Sequence, residues 1–368
     1  MKVSDLRLDV DKGRSCLSAS LGGERVHLTS HDAPQIVNAG DAFVLLALIP
    51  SMERGETLEV EESIPVSASL LRRLRTVQEI YVQWFPHLQT ITVNAPNTEV
   101  PAPVTGGRVG CFFSGGVDSV YSVMRNLSEI DDLVICRGLD IPFAELERWD
   151  RTVHAVRSFA ASIGKNVQIV ETDAKSRFQS SRSDNHGAVL ASCGIPLGYR
   201  RLIIPASHTY LDDLPHGSHP LLDPLWSTDL TEVEHDGAHS RTLKTREIAK
   251  SKEALEYLRV CNRQATYNCS ECEKCLRTMT VLKLIGARTP SLRELAPGSL
   301  RGLRLENLNQ LLFWVENREL AHELGDVELE RVISAIITQY RRRERLRSID
   351  RRYFGELGVR TLRALRRT

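Results

Sequence analysis

Hydrophobic positions along the chain follow two rhythms. Up to about residue 103, apolar residues alternate with polar ones in short runs such as DLRLDV, CLSASL and RVHLTS. Period two puts successive side chains on opposite faces, so these runs predict strands of a half-buried sheet. The run DAFVLLALI, Asp41–Ile49, is apolar almost throughout and predicts either a buried strand or a short helix. In SASLLRRLRTVQEIYVQWF, Ser67–Phe85, Leu, Val and Ile recur at helical spacing. Three prolines and two glycines then fall within NAPNTEVPAPVTGG, Asn94–Gly107, which predicts a linker and a domain boundary.

Beyond the linker, short apolar runs alternate with longer amphipathic ones. RVGCFF (Arg108–Phe113), LVICRGLDIP (Leu133–Pro142), NVQIVETDA (Asn166–Ala174) and RRLIIPAS (Arg200–Ser207) predict strands. SVYSVMRNLSEI, the long segment ending at Gly164, and HGAVLASCGIPLG predict the helices between them. EIAKSKEALEYL predicts another helix, with Lys244 and Arg246 just ahead of it. Strand–helix alternation with continuous apolar strands is the pattern of a parallel sheet covered on both faces. The expected fold is therefore α/β, a parallel sheet flanked by helices. The expected organisation is a β-rich α+β domain over 1–103, the α/β domain over 108–285, and a helical region over 286–368.

Composition adds little to this and charge adds more. The chain has 368 residues, 42% hydrophobic and 26% charged, as a folded soluble protein should. No apolar run approaches the roughly 20 residues that span a bilayer, so no membrane partner is expected. The charged, alternating start is unlike a secretory signal, and the cytoplasm is the expected location. Net charge is +1, but Arg341–Thr368 holds eleven Arg against Glu344, Asp350 and Glu356, a local +8 on a body of −7. Such a tail either presents a solvated helix face or contacts nucleic acid, an acidic partner or its own body. Homo-oligomerisation remains open.

Candidate chemistry gathers at two places. The first is SGGVDS, Ser114–Ser119, between a predicted strand and a predicted helix. Paired glycines let the backbone curl so that its N–H groups form a nest for an anion, and the helix start adds positive potential. The hydroxyls of Ser114 and Ser119 donate to phosphate oxygens. Asp118 would repel phosphate alone, but suits a Mg²⁺ ion between carboxylate and phosphate. The plainer alternative is a helix cap after a Gly-Gly turn. No Gly-x-x-x-x-Gly-Lys-Ser/Thr occurs, so a simple P-loop NTPase is disfavoured.

The second is a cysteine cluster, Cys261-x7-Cys269-x2-Cys272-x2-Cys275, holding four of the eight cysteines. Four thiolates at this spacing close a tetrahedral Zn²⁺ site with no open position, which makes the metal structural. An iron–sulfur cluster and free or paired thiols are the alternatives. Cys111, just ahead of the loop, reads as a core residue rather than a persulfide carrier.

SGGVDS after an apolar strand resembles the PP-loop of the N-type ATP pyrophosphatases, the adenine nucleotide alpha hydrolases, over roughly residues 108–284. Together with the C-terminal cysteine pattern it resembles the 7-cyano-7-deazaguanine synthase family, although the first cysteine gap is one residue shorter than expected. The resemblance implies that Ser114, Gly115, Gly116, Val117, Asp118 and Ser119 hold the pyrophosphate of ATP. A substrate oxygen would attack the α-phosphorus, and an adenylated intermediate would go on to an amide or a nitrile. It also implies that a basic residue near 241–244 meets the phosphates, with Arg241 and Lys244 the candidates. Asp140, in LDIP after the second strand, would bind the ribose or serve as a turn residue.

The stretch 207–251 is rich in His, Asp and Pro and follows a predicted strand, where an active-site loop belongs. His219 and Asp223 are candidates to orient substrate or bind metal, and His186 is either a cap or a substrate contact. His208, His216, His235 and His239 are weaker candidates, and Arg277 is expected to tie the cysteine knuckle to a carboxylate. The leading expectation is an ATP- and Mg²⁺-dependent adenylating enzyme acting on a small-molecule or carrier-bound substrate. Two alternatives are a sulfur transferase, acting even on tRNA, and a non-catalytic ATP-binding regulatory module.

Overall fold

The computed structural model describes residues 1–31, 36–37, 39–98, 107–178, 184–212, 214–261, 263 and 267–354. Residues 99–106 of the expected linker and 355–368 of the basic tail lie outside the described residues.

The alternating runs at the start form an antiparallel meander of β1 (Lys2–Asp11), β2 (Arg14–Leu21) and β3 (Glu24–His31). Both hairpins turn on two residues at positive φ, Lys12–Gly13 and Gly22–Gly23. This turn matches the natural strand twist. Asp41–Ile49 lies in a helix, α1 (Ala39–Arg54), in which Gly40 through Met52 are all buried. A helix apolar on every side must lie inside the protein, and this one packs between the meander and the rest of the fold. Short strands β4 (Leu58–Val60) and β5 (Val66–Ser67) follow, then α2 (Ala68–Trp84) as the periodicity predicts, then β6 (Val93–Asn94) and β7 (Asn97–Thr98).

The second rhythm builds β8 (Val109–Phe112), α3 (Val117–Arg125), β9 (Asp132–Arg137), α4 (Leu146–Ser162), β10 (Asn166–Thr172), α5 (Ala174–Phe178), α6 (His186–Gly194) and β11 (Arg201–Pro205). The 207–251 stretch contains a further strand, β12 (Glu232–Asp236), and opens α7 (Arg241–Ile248). The helix expected from 247 to 258 is divided instead. Ser240 caps α7 by accepting from the Leu243 N–H, and Ser251 caps a short α8 (Lys252–Glu256). Lys244 and Arg246 therefore sit inside a helix rather than ahead of one, because the serine at 240 starts it early. The chain ends in α9 (Glu273–Leu284), α10 (Leu308–Glu323) and α11 (Val327–Phe354).

Ten strands form one sheet in the order β12-β11-β8-β9-β10-β3-β2-β1-β4-β6. The five from β12 to β10 are parallel, and β3 joins antiparallel with Thr172 opposite Leu28. The meander thus extends the sheet of the second half rather than standing apart from it. Alternation along the central strands explains their unbroken apolar sequences. Phe112, Val134, Val170 and Leu202 face the core shared with α1 and α6, while Cys111, Phe113, Ile135 and Ile203 face the core under α4, α9 and α11. Chain order reverses direction at β8, which has β9 on one side and β11 on the other. Parallel sheets open a crevice at such a point, beyond the carboxyl ends of the strands. Among the described residues no helix is long and apolar enough to cross a membrane.

Gly138, just after β9, shapes one wall of this crevice. Its φ is 87°, and a Cβ there would run into the Thr172 carbonyl. Gly138→Ala is expected to destabilise the fold by more than about 1 kcal/mol, since alanine is strained at positive φ. A shift in the urea midpoint measures it.

Candidate active site

The Ser114–Ser119 loop sits at the carboxyl end of β8, in the crevice. Phe113 still belongs to the sheet, donating its N–H to the Val134 carbonyl (2.8 Å). Gly115 then turns at φ 77°. The turn is clamped from behind by Arg259, whose N–H donates to the Gly115 carbonyl (2.7 Å) and whose Nε donates to the Ser114 carbonyl (3.0 Å). Ser119 Oγ accepts from the Ser114 N–H (3.2 Å) and closes the loop on itself. Gly116 is the N-cap of α3, and no side chain caps that helix. The helix does start after the Gly-Gly turn, as the plainer reading has it, with Gly116 rather than a serine or Asp118 at the cap. The first-turn N–H groups of α3, with no capping side chain, suit an anion.

Asp118 projects from the first turn of α3 between two cations. It accepts from Lys244 Nζ (3.1 Å) and from Arg241. Lys244 is 1% exposed, and its ammonium also donates to the Ala206 carbonyl (2.6 Å). Burial pushes the Asp118 pKa up, but Arg241 and Lys244 outweigh it and hold the carboxyl below its ordinary range. The cations arrive on α7, which α10 positions from the C-terminal region. Glu316 accepts from the Arg241 N–H (2.7 Å). Phe313 stacks beneath two guanidinium groups, Arg277 at 4.1 Å and Arg241 at 4.8 Å from its centroid. Trp314 donates its indole N–H to Glu273 (2.9 Å), and Asn317 donates to the Arg277 carbonyl (3.1 Å). Arg277 does lie near a carboxylate, 3.6 Å from Glu273, and burial lowers its pKa to about 10.

Between the loop and β9 lies a cleft of about 260 Å³. Ser114, Gly116, Val117, Asp118, Ser119 and Arg241 line one end. Ile135, Leu139, Ile141 and Trp149 form an apolar wall, and Asp140, His186 and Lys274 complete the rim. One end thus offers N–H groups and cations, while the other is apolar. Lys244 stands behind Asp118 rather than in the lining. His219 and Asp223 lie outside it. Asp223 is 0% exposed and accepts from His235 Nδ1 (2.7 Å) and Ser218 Oγ (2.7 Å) in a buried network. His219 packs edge-on against Trp84. Arg259, Lys274 and Phe313 were not legible as site residues. Arg259 and Phe313 belong to no motif, Lys274 is only a spacer residue inside Cys272-x2-Cys275, and packing alone brings all three to the loop.

Three imidazoles continue from the rim. His186 lies 6.1 Å from His216, and His216 lies 5.8 Å from His208, centroid to centroid. His208 stacks on Phe313 at 5.5 Å. Burial, and then His216 beside it, push the His208 pKa down to about 4. The unfolded chain takes up that proton near 6.5, so between these values it binds more protons than the native state. Stability must fall as pH drops through this window, by about 2 kcal/mol at pH 5 and about 3 kcal/mol below pH 4. A His208→Phe protein should lose that component, which paired urea titrations at pH 7 and pH 5 would detect.

The four clustered cysteines form a candidate metal centre. Their sulfurs lie within 4.8 Å of one another, with Cys261 and Cys272 3.8 Å apart and Cys269 and Cys275 3.9 Å apart. A tetrahedron with arms of about 2.3 Å, the Zn–S distance, has edges of about 3.8 Å. Backbone N–H groups of Arg263, Glu271 and Cys272 point at the sulfurs. Asn268 braces the knuckle, accepting from the Val260 and Cys261 N–H groups and donating to the Leu258 and Ser291 carbonyls. The centre is tied to the cleft at both ends. Arg259 lies two residues before Cys261, and Cys272 opens α9, which carries Lys274 and Arg277. No protein-family model matches the chain, and neither does any curated protein or solved structure.

Proposed function

We propose that the chain is an ATP-dependent adenylating enzyme of the PP-loop ATP pyrophosphatase kind, 7-cyano-7-deazaguanine synthase-like in its chemistry. One observation carries this reading. An uncapped helix start and the Arg241 guanidinium meet an apolar-walled cleft at the switch point of a parallel sheet. The loop N–H groups and Arg241 would take the β- and γ-phosphates, the Ile135–Trp149 wall the adenine, and Asp140 the ribose. A carboxylate or amide oxygen of the substrate forms the bond to the α-phosphorus as the bond to pyrophosphate breaks. An amine nitrogen then bonds to the activated carbon, AMP departs, and the amine proton leaves for a base. For a nitrile, the amide oxygen bonds to the α-phosphorus of a second ATP as pyrophosphate leaves, and the C–O bond then breaks with AMP departing while both amide N–H protons pass to bases and the C≡N bond forms. The protein supplies position and charge neutralisation. Asp118 and the Ser114 and Ser119 hydroxyls are hard oxygen donors of the type Mg²⁺ takes. When bound, the ion would neutralise phosphate charge. The four cysteines would hold Zn²⁺ as a structural ion.

A sulfur-transfer reading would draw on Cys136, which lines the cleft beside Cys193. The hydrogen bond with Cys193 and then burial push its pKa well up, so little nucleophilic thiolate is present. Amide or nitrile formation is favoured. A screen of pyrophosphate release over carboxylates, amides, nucleobases and carrier-bound peptides tests the reading. AMP with pyrophosphate is expected, and ADP with phosphate would overturn it.

A further inference from the structure

Amide formation releases an N–H proton, and the side chains lining the cleft narrow the choice of what takes it. Arg241, Arg259 and Lys274 are cations. The Asp118 carboxyl is occupied by Lys244 and Arg241. Burial pushes the Asp140 pKa up, but His186, Arg259, Lys274 and Lys175 bring it below its ordinary range, so it is a weak base. The hydrogen bond with Cys193 and then burial keep Cys136 a thiol. His186 remains, and the phosphate, adenine and ribose contacts leave it unused. It opens α6 and stands half-buried on the cleft rim. Among the described residues nothing hydrogen-bonds to its ring, so its nitrogens are open to a ligand. Its backbone is held from behind. The Gly187 N–H donates to the Gly217 carbonyl (2.7 Å), and a Cβ on Gly187 would collide with Asp223 Oδ1. The glycine lets that buried carboxylate, itself held by His235 and Ser218, press against the start of the helix. A packed network that lines no part of the cleft therefore sets where His186 stands.

We propose that His186 is the general base of C–N bond formation, a role that rests on the adenylation reading. The amine nitrogen gives its lone pair to the activated carbon, and its N–H proton passes to a ring nitrogen of His186. The bond from that carbon to the adenylate oxygen breaks, and AMP leaves. A base must start neutral. Burial lowers the His186 pKa, Asp140 and Asp223 pull it up, and His216 and Lys175 push it down, leaving it below its ordinary value. The positive N-terminal end of α6 acts in the same direction, since it disfavours an imidazolium. The ring is therefore neutral near pH 7. Once protonated it lies in the field of the Asp140 carboxylate, which stabilises the new charge. His216, with its ring centre 6.1 Å away, is the next imidazole along the line.

Two measurements test this, and the first needs no acceptor. In the full wild-type chain with isotope-labelled histidine, the His186 ring signals are assigned by their loss in His186→Gln. They should be those of a neutral imidazole near pH 7 and should shift when AMP is added. A charged ring, or one that AMP leaves unmoved, overturns the proposal. The second measurement uses hydroxylamine as the amine, with the carboxylate that drives pyrophosphate release in the screen. Hydroxylamine is already neutral over this range, so an acid limb in hydroxamate formation belongs to the protein. His186→Gln should lower the hydroxamate rate at least about 100-fold and remove the acid limb, with a far smaller effect on the first burst of pyrophosphate. In His186→Ala, added imidazole should restore part of the rate. Unaltered melting would show that both variants fold. Hydroxamate at the wild-type rate from His186→Gln, or an equal loss of both steps, overturns the proposal. ADP with phosphate from the wild-type protein would instead overturn the adenylation reading, and the base with it.

Discussion

Asp118→Asn protein should still fold with its metal, at a lowered melting temperature because two buried cations lose their carboxylate, and should release pyrophosphate at least about 100-fold more slowly than wild type. The substitution removes one charge with almost no change in shape. Asp118 is the common partner of Lys244 and Arg241, which approach it from α7. Without the carboxylate, two buried cations lose the group that holds them in place, and no oxygen donor remains there for Mg²⁺. Lys244→Met should produce a similar loss, because the ammonium is fixed by both Asp118 and the Ala206 carbonyl. A split result separates the roles. An active Asp118→Asn protein that still yields AMP would remove the part assigned to the aspartate and leave the adenylation chemistry standing.

Replacing Cys272 with Ser should strip the metal and loosen the residues around the cleft. Metal analysis should find about one Zn²⁺ per wild-type chain and much less in the variant. Binding energy at such centres is folding energy, about 10–16 kcal/mol for zinc-finger peptides, so even a partial loss should lower the melting temperature clearly. Activity should fall too, although no cysteine of the cluster lines the cleft. Arg259 on one side of the knuckle clamps the Gly115 turn, and on the other side Lys274 lines the cleft while Arg277 shares the Phe313 ring with Arg241. Chelation of the wild-type protein should reproduce both effects. Unchanged melting in Cys272→Ser would mean that the four sulfurs meet without a metal.

Local pattern was enough to determine much of the chain. Period-two runs marked β1 to β3, and apolar runs before amphipathic ones marked β8 to β11 and the helices between them. The reason is local: strand and helix periods follow from backbone geometry and show wherever one face is buried. The two short motifs were legible for the same reason. A glycine turn before a helix and two Cys-x-x-Cys turns are each complete within a few residues. Asp41–Ile49 was ambiguous because a fully buried run has no polar side to reveal its period. The starts of α7 and α8 were missed because single serines, Ser240 and Ser251, set them.

Tertiary structure alone decided what meets at the loop. The pairing of β3 with β10 brings together residues about 140 positions apart, such as Thr172 and Leu28. Asp118 meets Lys244 across 126 positions, and Phe313 reaches Arg241 from a helix beyond the resemblance. The histidine stretch divides for the same reason. His208 and His216 continue the line from the cleft rim, while His219 and Asp223 turn into a separate packed network. Contacts of this kind depend on which faces pack together, and no short window of sequence contains both partners.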